Sequence, residues 1–387
     1  MEQPSVSYKS FETREMSLRT LAVRLPKMEA VTAGAGLNGI APYIGRLRPE
    51  IAQFLVNRYT SPGDVIADPF SGSGCIPLMA AVMGRHVIAS DMSPYAVLLT
   101  RAKLFAPPTI DQAMRRLAKL SVGLAEHARR QDLRRIPQWV RSFFHAETLR
   151  HALTFRDACV NADEPFFLAC LLGILHHQRP GFLSFPSGHL VPHLRDRAFP
   201  PALFPEMYAQ REVVPRLQAK LQRIYRDAPR LDTDRRIMCV DARLFSAAEP
   251  VDAVITSPPY MNELDYIRDN RLRLWFIDRR IPSELEIPKR KPESYFRGLI
   301  DSVLDRLLRA VIPRGHIILV LGEVTRNRRR LDPARVTCDV VSQKYSAQLR
   351  LKEVWADRIP DVRPGRVLTQ AKREHILVFE VRGLNGR

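Results

Sequence analysis

The chain has few cysteines and no long apolar run. Its five cysteines are Cys75, Cys159, Cys170, Cys239 and Cys338, and no two of them have the Cys-x-x-Cys spacing of a zinc knuckle or a redox motif. No stretch approaches the roughly 18 apolar residues that a membrane-spanning helix requires, and residues 1–16 lack the apolar core of a signal peptide. The sequence therefore argues against a disulfide framework and a membrane protein, and it predicts a cytoplasmic location.

Histidine is also sparse, with 10 residues in 387. His189 and His193 have a spacing that metal ligands can have, but no cysteine pair accompanies them. We interpret them as loop histidines, and no metal site is expected.

Acidic residues are far fewer than basic residues. The chain has 60 basic and 41 acidic residues, a formal net charge of +19 and a pI near 10.2, while its 45% apolar residues are ordinary for a globular protein. Fifty of the basic residues are arginine, which makes bidentate contacts to phosphate and guanine. This charge suits a polyanionic partner and favours a nucleic-acid-binding protein.

The most informative motif follows an apolar run at residues 251–255 that predicts a buried strand. Directly after it come Ser257, Pro258, Pro259 and Tyr260. The two prolines stiffen the turn and remove two backbone donors. A hydroxyl, a rigid carbonyl and an aromatic ring are thus gathered at the carboxyl end of a strand, where open α/β sheets bind ligands. Such a group suits a flat polar base.

A second motif lies upstream, between a short strand at 65–67 and a helix predicted at 76–83. Its glycines allow a close approach of backbone to a ligand. Another strand, 86–90, ends at Asp91, placed to hold ribose hydroxyls. The loop residues singled out are Asp68, Pro69, Phe70, Ser71, Gly72 and Gly74.

The rest of the chain divides by pattern. Residues 1–35 read as an N-terminal arm or lid, and 36–108 with 231–387 as the α/β catalytic domain. Residues 109–230 have apolar residues at helical spacing, which predicts a helical insertion and a candidate target-recognition region. Scaffolding over one sheet face is the other interpretation of this insertion.

Together these motifs resemble the S-adenosylmethionine-dependent DNA amino-methyltransferases, which modify cytosine N4 or adenine N6. The resemblance covers residues 39–105 and 236–381. It implies that the loop at 68–74 and Asp91 bind S-adenosyl-L-methionine, that Tyr43 closes over this cofactor, and that the Ser-Pro-Pro-Tyr turn is catalytic. Asp241, at the end of a third predicted strand, would accept the adenine amine of the cofactor; a turn or cap aspartate is the alternative.

Two basic runs are candidate phosphate contacts, with a solvated surface as the alternative. They are Lys289, Arg290 and Lys291 in a proline-flanked loop, and Arg328, Arg329 and Arg330 after the fifth predicted strand.

The resemblance implies a class I methyltransferase fold, which is a Rossmann-like, doubly wound, mostly parallel seven-stranded sheet. It also implies double-stranded DNA as partner. Serine in the first position of the turn favours cytosine N4. An adenine-N6 enzyme, an RNA methyltransferase and a catalytically dead DNA-binding module stay open, as does a separate restriction endonuclease as partner.

Overall fold

A computed structural model describes residues 22–28, 30–31, 33–43, 45–177, 181–186, 200–227, 231–259, 270–279, 293–326, 329–358 and 373–383. The strands in this part of the chain are β1 Val23–Arg24, β2 Val65–Asp68, β3 His86–Asp91, β4 Arg235–Cys239, β5 Val251–Thr256, β6 Val311–Gly322, β7 Val324–Arg326, β8 Arg329–Leu331, β9 Leu349–Arg358 and β10 Arg373–Val381.

The described helices follow the apolar periodicity of the sequence. They are α1 Ala35–Asn38, α2 Pro49–Tyr59, α3 Cys75–Val82, α4 Pro94–Leu104, α5 Ile110–Leu120, α6 Leu124–Arg129, α7 Gln138–Arg141, α8 Ala146–Asn161, α9 Pro165–Leu175, α10 Val213–Ile224, α11 Arg271–Ile277, α12 Glu293–Ala310 and α13 Pro333–Val340. Within the described residues, no helix combines the length and the apolarity needed to cross a bilayer.

Eight strands form one sheet in the order β1-β9-β10-β6-β5-β2-β3-β4. Neighbouring strands pair in parallel except around β10, which is antiparallel to both β6 and β9. From β2 the chain moves outward through β3 to β4, and then returns to place β5 and β6 on the other side of β2. The doubly wound, mostly parallel α/β fold of the class I methyltransferase type, predicted from the sequence, is confirmed.

Alternating strand residues supply the two faces of this sheet. On one face, Ile66, Ile255 and Ile376 pack with α2 and α3. On the other face, Ala67 and Val254 pack with α12 and α13. Because both faces are covered, the middle residues of β2 and β5 are apolar.

A third apolar cluster contains the helices between β3 and β4. It is centred on the buried helix α9 and packs against α4 and α1. The described part of residues 109–230 therefore forms a helical layer beside the sheet, adjoining the segment that precedes α2.

Three boundaries differ from the sequence expectation. The sheet has an eighth strand, because the two residues of β1 pair with β9, which would otherwise be an edge strand. The sequence predicts the third core strand at 237–241, whereas β4 begins and ends two residues earlier, so Asp241 lies beyond it. The sequence predicts a helix at 295–312, whereas α12 ends at Ala310, because β6 begins at Val311.

Candidate active site

The loop after β2 and the turn after β5 meet at one point of the sheet edge. Strands β2 and β5 are parallel neighbours, with Ile66 opposite Ala253 and Ala67 opposite Val254. The chain leaves β2 toward one side of the sheet and later continues from β5 toward the other, which creates a crevice at the carboxyl ends of these strands. Asp68 and Thr256, the last residues of the two strands, line this position.

A buried hydrogen-bonded triangle joins the two motifs. The Thr256 hydroxyl donates to Asp68 Oδ1 at 2.6 Å. The backbone N–H of Phe70 lies 3.2 Å from Asp68 Oδ1 and 3.2 Å from Thr256 Oγ1. The start of the glycine loop is therefore fixed to the strand that carries Ser257.

Asp68 is an unusual acid, since its residue is only 2% exposed. Burial raises the pKa of its carboxyl from 3.8 to about 7, because a charge is costly away from water. The hydrogen bonds from Thr256 and Phe70 oppose this rise, and the nearby charge of Asp91 adds to it. A buried acid with a displaced pKa in a ligand crevice is typical of functional sites.

The loop needs its glycines for conformation and for space. Gly72 and Gly74 have φ angles of 50° and 73°, in the left-handed region that side chains rarely adopt. A Cβ on Gly74 would lie 2.7 Å from Thr100 Oγ1 and 2.9 Å from Thr100 Cα. Gly74 is also the N-cap of α3, so the unpaired N–H groups in the first turn of that helix lie beside the loop.

Asp91 fixes the other side of the loop. Its Oδ2 accepts a hydrogen bond from the Gly72 N–H at 2.9 Å, and its Oδ1 accepts one from the Ser93 N–H at 2.8 Å. Burial raises the pKa of this carboxyl, and the backbone hydrogen bonds counteract the rise. The carboxylate therefore holds the loop and retains acceptor sites for a ligand hydroxyl.

Tyr43, which the resemblance implies to close over the cofactor, lies against the glycine loop. A Cβ placed on Gly72 would be 3.4 Å from the Tyr43 ring, and the Tyr43 and Tyr95 ring centroids are 6.0 Å apart. The Tyr95 hydroxyl donates to the carbonyl of Pro42 at 2.7 Å. Helix α4 thus positions the tyrosine beside the loop.

Two buried lysines hold the same segment, and sequence reasoning missed both. Lys103 Nζ donates to Asn38 Oδ1 at 3.0 Å, and Lys220 Nζ, from α10, donates to the Gly39 carbonyl at 3.2 Å. Burial lowers the pKa of Lys103 to about 7 and also lowers that of Lys220. Helix α4 also carries Arg101, so its sequence gave no local signal that Lys103 is buried.

The structure describes only part of the Ser-Pro-Pro-Tyr turn. Ser257 is half-buried, Pro258 is buried and Pro259 is exposed, directly after β5. Tyr260, Lys289, Arg290, Lys291 and Arg328 lie outside the described residues. The backbone of Arg329 and Arg330 lies in β8, opposite Arg326 and Thr325 of β7.

Asp241 caps the N-terminus of a short 3₁₀ turn, which agrees with the alternative interpretation of this residue as a cap aspartate. Its Oδ1 accepts from the Arg243 N–H at 2.9 Å, at the start of a 3₁₀ turn over Ala242–Leu244. The Arg243 side chain also forms an ion pair with this carboxylate, in which Arg243 Nη2 lies 2.6 Å from Asp241 Oδ2. A role toward a ligand amine would compete with this ion pair.

The comparisons with known proteins agree with this location. Residues 43–101, which hold Tyr43, the glycine loop and Asp91, match the family model for DNA methylases. The Type II methyltransferase M.MjaII of Methanocaldococcus jannaschii is 37% identical over 68 residues, which are 18% of this chain and 13% of that protein. The chain thus spans only a small part of this curated relative.

Solved structures overlap more broadly at lower identity. TrmN from Thermus thermophilus is 14% identical, with a TM-score of 0.36 over 89% of this chain and 52% of that chain. A putative DNA modification methylase, also from Thermus thermophilus and complexed with S-adenosyl-L-methionine, is 20% identical, with a TM-score of 0.22 over 38% of this chain and 55% of that chain. The resemblance predicted from the sequence is confirmed over residues 43–101, the segment that contains the glycine loop and that is similar to the DNA methylases.

Proposed function

We propose that the protein transfers a methyl group from S-adenosyl-L-methionine to the exocyclic amine of a flipped base in double-stranded DNA, with cytosine N4 as the target. The observation that carries this proposal is the Thr256–Asp68–Phe70 triangle. It joins a glycine loop of the DNA methylase family to the Ser-Pro-Pro-Tyr turn at the switch point of the sheet.

The residues around the loop fit the cofactor. Glycine at positions 72 and 74 allows the left-handed backbone of the loop, and the N-terminus of α3 offers backbone donors. Asp91 would hold the ribose hydroxyls, and the Tyr43 ring would cover the ligand. When bound, S-adenosyl-L-methionine supplies an electrophilic methyl group.

The turn would position the reacting nitrogen. The Ser257 hydroxyl and the carbonyl beside Pro258 would accept hydrogen bonds from the exocyclic amine, and Tyr260 would stack on the base. These contacts orient the nitrogen lone pair, and such positioning can supply roughly 7–11 kcal/mol of a barrier. The mechanism requires no covalent intermediate with the protein.

Charge and topology support DNA as the substrate. The net charge of +19 suits the phosphate backbone. The β7–β8 hairpin, which carries Arg329 and Arg330, begins two residues after β6 at the same sheet edge as Ser257. This position supports the proposal that an arginine-rich segment contacts the phosphates of the DNA. The region 109–230 is the proposed target-recognition region.

The experiment combines product identification with one substitution. Purified protein is incubated with labelled cofactor and either double-stranded DNA or cellular RNA, and the nucleosides are identified by mass spectrometry. We expect N4-methylcytosine from DNA. Ser257→Ala should lower the rate about 10- to 100-fold, because loss of one hydrogen bond at the reacting amine raises the barrier by about 1–3 kcal/mol.

The matched control is Ser246→Ala, at a serine away from the turn. It should keep the wild-type rate. N6-methyladenine as the product would move the target to adenine. Methylated RNA with unmodified DNA would refute the substrate class, and cofactor binding without any product would identify a DNA-binding module without activity.

A further inference from the structure

A mixed cluster of metal-binding side chains lies at the sheet edge beyond the methylase site. Glu323, Asp332 and His375 each direct one ligand atom to a common region, and these three atoms lie within 4.8 Å of one another. Glu323 is 3% exposed and His375 is 1% exposed, while Asp332 is half-buried. Carboxylates and histidines in such positions are paired or coordinate metals.

Strand pairing fixes the backbone of His375 and of Glu323, which directly follows β6. His375 belongs to β10 and lies opposite Leu321 of β6 and Ala356 of β9. The Glu323 N–H donates to the Arg373 carbonyl at 2.8 Å, which fixes the end of β6 to the start of β10. Ligands on paired strands keep their geometry better than ligands on loops.

Asp332 is oriented by helix α13. Its Oδ1 accepts hydrogen bonds from the N–H groups of Ala334 and Arg335, at 3.1 and 3.2 Å, and caps the helix. The cap settles the direction of the carboxylate, in the way that hydrogen-bonded partners orient metal ligands. The cluster thus joins the end of β6, the start of β10 and the start of α13.

The separation of the ligand atoms is close to that of a coordinated ion. Three atoms no more than 4.8 Å apart all lie within about 2.8 Å of some shared point. Zinc binds histidine nitrogen and carboxylate oxygen at about 2.0–2.2 Å. Each ligand atom must therefore move by less than about 1 Å to reach bonding distance of one ion.

We propose that Glu323, Asp332 and His375 bind one divalent transition-metal cation, preferably Zn²⁺. One imidazole and two carboxylates favour Zn²⁺ or Mn²⁺ over Mg²⁺, which prefers oxygen ligands alone. Of Zn²⁺ and Mn²⁺, Zn²⁺ forms the more stable complexes with such ligands. The ion offsets the repulsion between the two carboxylates and ties β10 and α13 to the end of β6. It takes no part in the proposed methyl transfer.

The test measures binding rather than activity. The full chain is stripped with a chelator, dialysed and titrated by calorimetry with Zn²⁺, Mn²⁺ or Mg²⁺ separately. Metal content is measured by mass spectrometry, and the unfolding temperature is followed. We expect one Zn²⁺ per chain, weaker Mn²⁺ binding, no Mg²⁺ binding at the same concentration and a Zn²⁺-dependent rise in unfolding temperature.

Asp332→Asn removes the negative charge of one proposed ligand but keeps the helix cap, since asparagine caps a helix about as well as aspartate. A loss of Zn²⁺ binding in this variant is therefore not caused by unfolding. Asp332→Asn should weaken Zn²⁺ binding at least about tenfold, while Asp339→Asn on the same helix should leave binding unchanged. His375→Gln should also weaken it. Absence of stoichiometric Zn²⁺ or Mn²⁺ binding in the wild type would overturn the proposal. Equal affinities in the Asp332 and Asp339 variants would overturn it as well.

Discussion

Asp68→Asn should make the ligand-free protein more stable than wild type, and increasingly so as the pH rises. The unfolded carboxyl loses its proton near its ordinary pKa of 3.8, whereas the buried carboxyl keeps its proton up to about pH 7. The folded state therefore binds more protons between these values, so the free energy of unfolding of the wild type falls across this window. The asparagine side chain in the variant does not titrate, and it can still accept the hydrogen bonds from Thr256 and Phe70.

The magnitude follows from the size of the pKa displacement. A rise of about 3 pKa units corresponds to roughly 4 kcal/mol, at about 1.4 kcal/mol for each unit. The stability difference between Asp68→Asn and wild type should therefore grow by about 1.4 kcal/mol per pH unit above pH 4 and level off near pH 7. Between pH 5 and pH 8 the expected change is roughly 3 kcal/mol.

Urea unfolding of both proteins at several pH values measures this difference. Gln112→Ala, at an exposed glutamine in the first turn of α5, changes no titratable group; it is the control and should give a difference that does not depend on pH. A pH-independent difference for Asp68→Asn, or one that shrinks toward pH 8, would refute the burial argument. The variant should at the same time bind S-adenosyl-L-methionine more weakly, because stability and ligand binding oppose each other at such a site.

Two further substitutions test the packing around the site. Thr256→Val keeps the shape of the side chain but removes the hydroxyl that bonds to Asp68 and to the Phe70 N–H. This change should lower the free energy of unfolding by about 1–3 kcal/mol in urea titrations. An unchanged free energy of unfolding would contradict the hydrogen-bonded triangle. Gly173→Ala would place a Cβ 2.0 Å from the Ile40 carbonyl oxygen and should destabilise the protein, whereas Gly298→Ala, with nothing within 4 Å, should stabilise it by about 0.5–1 kcal/mol in the same assay. Equal effects of the two glycine changes would rule out a tight contact at Ile40.

The sequence predicted the part of the fold that strong local signals encode. Strands β2, β3 and β5 have short apolar runs that end at Asp68, Asp91 and Thr256, and the structure has them within one residue of the predicted bounds. Among the described strands, β4 pairs only with β3, and it is only partly buried. Its apolar pattern is therefore weak, and the predicted bounds differ from the observed ones by two residues.

The missing parts depend on contacts between distant segments. Nothing near Val23 indicates pairing with Trp355. Lys103 resembles a surface lysine in the sequence, and only the packing of α4 against α1 shows that it holds Asn38. The ligand atoms of Glu323 and His375 come together because β6 and β10 are antiparallel neighbours, a pairing that no local pattern specifies.

The contacts of residues 38–43 argue that the helical layer and the proposed cofactor site form one mechanical unit. Gly173 in α9 lies so close to the Ile40 carbonyl that a single methyl group would overlap it, and Lys220 in α10 donates to the Gly39 carbonyl. The same short segment ends at Tyr43, whose ring lies against Gly72. Any shift of α9 or α10 must therefore displace the backbone that carries Tyr43, because packed interiors transmit displacement rather than absorb it. If residues 109–230 contact DNA, the contacts of Gly173 with Ile40 and of Lys220 with Gly39 form a direct physical path from target binding to the loop that we propose to hold the methyl donor.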